Sequence, residues 1–163
     1  MLQRFFSRRK VGPTPVSLTN SAHWDIHGAD FYRAIRALPE ILTPGSVLGL
    51  ADGAWSSHLR SFLDAHAAAL EPDVISALPA DFRRARFIRT DARTIADLAA
   101  LADKHAEPEV AIHLIVLQAG SSLVEWYDLP NDPIAVSLSI DEAAVKRFAE
   151  AVGGRCEVSR SGV

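Results

Sequence analysis

The sequence predicts a single α/β domain, a mixed sheet of five or six strands with helices packed on its faces. Three observations point there. Apolar spacing switches repeatedly between helical and extended periods, short apolar runs are bounded by Pro and Gly turn signals, and 163 residues suit one core and not two. The chain is 48% hydrophobic and 23% charged, the balance of a folded domain.

The elements follow in order. Asp30 opens a helix with Phe31, Ala34, Ile35 and Leu38 on one face, and Pro39 ends it. After the turn Thr43-Pro44-Gly45, the run from Ser46 to Ala51 reads as a strand buried on both faces. A second helix starts near Trp55, with Leu59, Phe62, Leu63 and Leu70 on its inner face, and stops at Glu71-Pro72. Residues 73 to 84 read as a connection with room for one helical turn. Arg86 to Thr90 is a short strand, and a helix over residues 91 to 105 follows, capped by Asp91 or Thr94.

Val110 to Leu117, apolar at odd and even positions alike, is the expected central strand. Ala119 to Ser122 forms a hairpin loop into a strand over residues 123 to 128. Ile134 to Leu138 is a further strand, expected near the sheet margin because Pro130 and Pro133 precede it. Ser139 and Glu142 have capping-box spacing ahead of a helix with Val145, Phe148, Ala149 and Val152 inside, and Gly153-Gly154 stops it. Arg155 to Ser159 adds an optional last strand. Helical crossovers imply parallel neighbours and hairpins antiparallel ones, hence a mixed sheet.

Leu38-Pro-Glu-Ile-Leu-Thr-Pro-Gly-Ser-Val-Leu48 and Glu125-Trp-Tyr-Asp-Leu-Pro-Asn-Asp-Pro-Ile-Ala-Val-Ser137 resemble a family of short uncharacterised bacterial proteins, over roughly residues 38 to 152. The family brings no activity to carry over, so no residue gains a role from the resemblance.

Composition bounds function. Arg4, Arg8, Arg9 and Lys10 lie in the first ten residues, so a net charge of −3 becomes −7 over the rest. An acidic body argues against nucleic acid as a partner. The Arg83, Arg84, Arg86, Arg89 and Arg93 cluster is the counter-observation, and its role is open. Residues 1 to 16 are expected to be a flexible basic tail with a Pro-rich linker, able at most to touch an anionic membrane surface, and 17 to 163 the folded domain. No apolar run reaches the length of a membrane-spanning helix, and the N-terminus lacks a secretory leader pattern, so cytoplasmic residence is expected. One cysteine excludes an internal disulfide and a cysteine zinc site.

Four candidate sites can be read. His23, Asp25 and His27 alternate and form a histidine-carboxylate set for a metal, although three near-adjacent ligands rarely converge on one ion; no metal or cofactor is expected. Gly49 to Gly53 is a strand end followed by a helix, the usual ligand edge of open sheets, but it matches no phosphate loop. Ser57-His58 and Asp64-x-His66 lack the elbow of a hydrolase triad. His113, Glu125, Tyr127 and Asp128 on neighbouring strands, with Asp52 at another strand's end, form the polar focus where catalysis would sit. Trp126 and Tyr127 are the candidate partner contacts. The reading is a non-catalytic protein-interaction module, adaptor or immunity-like, with a protein partner or a second copy. The alternative is a small enzyme or small-molecule-binding protein using the polar focus.

Overall fold

The structure is a computed structural model that describes residues 17–159; the expectations for the 1 to 16 tail lie outside the described residues. Within them the chain forms β1 (His23–His27), α1 (Phe31–Ala37), β2 (Val47–Ala51), α2 (Ser57–Ala65), α3 (Pro72–Ala77) and β3 (Arg86–Arg89). It continues through α4 (Ala92–Ala102), α5 (Glu107–Val110), β4 (His113–Gln118), β5 (Ser121–Trp126), β6 (Ile134–Ser137), α6 (Glu142–Ala151) and β7 (Arg155–Ser159). The α/β class stands, but the sheet has seven strands, in the order β3-β2-β4-β5-β6-β1-β7.

Every neighbouring pair is antiparallel, which corrects the expectation of a mixed sheet. The reason lies in the crossovers. The chain leaves β2, runs the length of the sheet as α2, and returns along the outer edge of β3, where Ala67 bridges Ile88 and the Ala68 amide donates to Phe87 at 2.8 Å. A round trip brings β3 in beside β2 in the opposite direction. The α4 crossover does make β3 and β4 run the same way, yet β2 lies between them.

Two expected positions also change. His23 to His27 is a strand between β6 and β7 and not a loop, so β6 is interior, and its two prolines stay outside the ladder because pairing starts at Ile134. The helix over residues 142 to 151 is capped by Asp141, which accepts the Ala144 amide at 3.1 Å, and not by Ser139. Asp30 and Asp91 cap α1 and α4 as read.

Period-two alternation splits the sheet into two faces. Ile26, Leu48, Leu50, Ile88, Leu114, Val116, Val124, Trp126, Ile134 and Val136 pack under α1, α2, α4 and α6. On the other face Ala51, Phe87, Ile115 and Leu117 meet Leu78 and Phe82 from the segment around α3. Gly49 is required there, because a Cβ would lie 2.6 Å from the Phe87 ring and 2.7 Å from Ile115 Cγ2. The 17–20 turn crosses this face farther along, over β5 and β6. Among the described residues the outer parts of β1 and β7 carry no helix on this side, and Asp25, His27, Arg155 and Glu157 line it by register.

Candidate functional site

The antiparallel pairing assembles the expected polar focus. Leu114 opposes Trp126, so the residues next to them, His113 and Tyr127, face each other where β4 enters and β5 leaves the sheet. Their rings are 5.9 Å apart, and Phe82 sits 6.2 Å from His113 and 5.0 Å from Tyr127. Ala51 opposes His113 on the other side, which brings Asp52 Oδ2 within 3.9 Å of His113 Nε2. The Asp128 amide donates to His113 Nδ1 at 3.1 Å, so the neutral ring carries its proton on Nε2, toward Asp52. Asp52 and Asp128 hold left-handed backbone, φ 56° and 43°, which Asp tolerates better than most residues.

Glu125 lies two residues before Tyr127 on the same face, and it is fully buried. Its carboxylate accepts the Ser17 hydroxyl at 2.8 Å, the Leu18 amide at 3.1 Å and the Tyr127 hydroxyl at 3.1 Å. No cation pairs with it among the described residues, so these three donors offset the loss of hydration. The carboxylate thereby ties the 17–20 turn to the sheet. Burial pushes the Tyr127 hydroxyl well above the ordinary tyrosine value, a Ser17 hydrogen bond opposes this, and the charges of Glu125 and Asp81 add to it.

Beside this cluster a cleft of about 850 Å³ opens between the 17–20 turn and the 77–83 segment. Tyr127 forms part of its floor, Ser17, Thr19 and Asn20 one wall, and Asp81, Arg83 and Asp132 supply its charges. Arg83 Nε donates to the Leu78 carbonyl at 3.0 Å, which fixes the side chain's base. Arg83 was read only as part of the arginine cluster, and Ser17, Asp81 and Asp132 carried no signal of a site: Ser17 and Glu125 are 108 positions apart, and only the fold brings them together.

The other candidates separate. Trp126 is 1% exposed, packs 6.4 Å from Phe31 and donates its Nε1 hydrogen to the Asp132 carbonyl at 2.8 Å, so it belongs to the core and not to a contact surface. Tyr127, the other candidate contact, directly follows β5, the fourth of seven strands, and packs against Phe82. His23 Nε2 bonds Asp25 at 3.0 Å, whereas His27 Nε2 turns to Glu157 at 2.9 Å. No group of three or more His, Cys, Asp or Glu side chains is placed to hold a metal among the described residues. His66 stacks 4.5 Å from Phe62 and bonds Thr94 Oγ1, apart from Ser57 and His58. Ser56 caps α2, its side chain accepting the Leu59 amide. The arginine cluster disperses: Arg86 pairs with Asp64, Arg93 with Asp97, and Arg89 reaches the Ala65 carbonyl.

A second feature is the contrast between the two edges of the sheet. The β3 edge is covered by residues 66 to 68, with the Arg89 amide donating to His66 at 3.1 Å. The β7 edge has no partner among the described residues. Leu138 and Val158, 47% and 46% exposed, are the exposed large hydrophobic residues of the described chain, and the strand register puts both toward the same end of the sheet. Arg155 and Glu157 are exposed on the opposite face of β7. No helix among the described residues is long and apolar enough to cross a membrane.

Comparison with known proteins finds no matching family model, no matching curated protein and no matching solved structure.

Proposed function

We propose that this chain is a non-catalytic protein-interaction module of the cytoplasm, adaptor or immunity-like, whose contact is made by adding a strand at the β7 edge. The asymmetry of the two sheet edges carries this reading. An uncovered edge presents unpaired amide and carbonyl groups to another chain, and the opposite edge of this sheet is covered, by residues 66 to 68 along β3. Exposed Val158 adds apolar surface at that edge. The engaged state of the polar focus agrees with a non-catalytic role. Glu125 is sealed by its three donors, His113 Nδ1 is occupied by a backbone amide, and no hydroxyl or thiol bonds to His113 among the described residues.

The test compares two variants by partner capture and sedimentation, with circular dichroism as the control for folding. Val158→Lys puts a charge on the open edge at a half-exposed position, and should abolish association while the fold persists. Arg83→Ala, in the cleft, should leave association intact. The opposite pattern would shift the function to the cleft. That is the second reading, a small-molecule-binding protein, and it is favoured by one observation, the 850 Å³ volume bounded by Tyr127, Arg83 and two carboxylates.

A further inference from the structure

The sequence of β7 identifies what fits its open edge. Side chains at Arg155, Glu157 and Ser159 share one face, and Cys156 and Val158 share the other. Arg155 has no ion pair among the described residues, and Glu157 meets only His27, with both groups solvated. A cation and an anion two positions apart on one face of an edge strand make that edge complementary to its own antiparallel copy. Resting on the edge-strand reading above, we propose that the partner is a second copy of this chain, paired β7 to β7 about a two-fold axis at Cys156.

Charge selects this register. Antiparallel self-pairing that keeps each face continuous must centre on a residue, and three centres overlap the strand well. Centred on Glu157, the pairing sets two carboxylates directly opposite each other, which is unfavourable. Centred on Val158, it leaves Glu157 opposite Ser159 and gains no ion pair. Centred on Cys156, it sets each Arg155 opposite the partner's Glu157, twice by symmetry, and brings the two Cys156 residues face to face. On the helix side the thiol of Cys156 feels Lys146 and Glu142 of α6, so each copy brings a cation and an anion to the axis there as well. The contact joins two seven-stranded sheets into one continuous sheet. Three residues of each β7, Arg155 to Glu157, pair strand to strand, with Val158 opposite Gly154 just outside the strand, so the interface is small and the dimer is expected to be reversible and dependent on concentration.

The experiment is sedimentation velocity of the purified full chain over a range of concentrations. Wild type should show a reversible monomer–dimer equilibrium. Arg155→Glu alone and Glu157→Arg alone should each weaken it by about tenfold or more, because both cross-axis pairs become like-charged. An equimolar mixture of the two variants restores opposite charge at both pairs, and should return dimer of one copy of each. Mild oxidation with diamide, which takes up the two thiol hydrogens as the sulfur–sulfur bond forms, should link wild-type copies through Cys156 in a band lost in Cys156→Ser. A chain that stays monomeric at every concentration overturns self-pairing. So does a dimer indifferent to both charge reversals, or one the mixture fails to restore. The edge-strand reading fails separately, if Val158→Lys keeps full association.

Discussion

Glu125 and Tyr127 set the local chemistry of this protein. A buried carboxylate with no cation beside it among the described residues is stable because three donors converge on it, from one hydroxyl on the turn, one amide and one phenol. The same burial holds the phenol protonated. An unfolded tyrosine ionises near pH 10, whereas native Tyr127 ionises higher because burial and the charges of Glu125 and Asp81 disfavour the phenolate. The native state therefore binds more protons than the unfolded state above about pH 10, and that contribution to stability is full below pH 10 and lost as pH rises toward the native value. Tyr32 and Cys156 are shifted upward as well and add to the same alkaline loss. In Tyr127→Phe, urea midpoints followed from about pH 9 to 11.5 should fall less steeply than in wild type. Parallel curves would show that the phenol is not held neutral by its surroundings.

At the scale of elements, caps and turns decide where each helix and strand starts. Two residues, Ala119 and Gly120, both with positive φ, close the β4–β5 hairpin in the mirror-image turn that fits strand twist. Helix α6 begins at Glu142, and Asp141 just before it has non-helical backbone and accepts the Ala144 amide, whereas Ser139 bonds Ser137 and stays outside. Asp141→Ala should cost about 1 kcal/mol in chemical denaturation, since it removes both the capping bond and a negative charge at the helix start. Ser139→Ala should stay within about 0.5 kcal/mol of wild type. Equal costs would return the cap to the serine that the spacing first indicated. The capping-box pattern misled because Ser139 and Asp141 both precede the apolar run, and only the backbone path out of β6 selects between them.

For the whole molecule, the decisive strand is the first. β1 lies between β6 and β7, and its pairing with β7 is the only ladder that strand has among the described residues. Ile26 at its centre is fully buried against the helical face. A chain begun at Ala29 should therefore lose the cooperative thermal transition and near-ultraviolet dichroism. A chain begun at Ser17, which keeps β1 and the bonds to Glu125, should retain both. Retention of cooperativity by the shorter chain would mean that β7 can pair elsewhere, and that β1 is not the keystone of the right half of the sheet.

Local periodicity determined most elements, because an amphipathic helix or a buried strand declares itself by spacing alone: α1, α4, α6, β2 and β5 could be read from apolar positions, and α2 and β4 except for one end each. The spacing ran α2 on to Leu70 and started β4 at Val110, whereas α2 stops at Ala65 and β4 starts at His113. Alternation also puts Glu125 and Tyr127 on one face of their strand, whereas the place of His113 beside them comes from the β4–β5 register, which the structure supplies. Strand order and direction were decided only by the tertiary structure. Direction depends on how many times a connection traverses the sheet, and the return leg of residues 66 to 70 carries too little pattern to count. The place of β1 depends on a partner over a hundred residues away, and its sequence, His23-Trp24-Asp25-Ile26-His27, is polar at three of its five positions and shows no clean apolar alternation. The sealing of Glu125 and the openness of the β7 edge have the same origin. Both are properties of what lies beside a residue in space, and that is fixed when the chain packs rather than by the spacing of its residues.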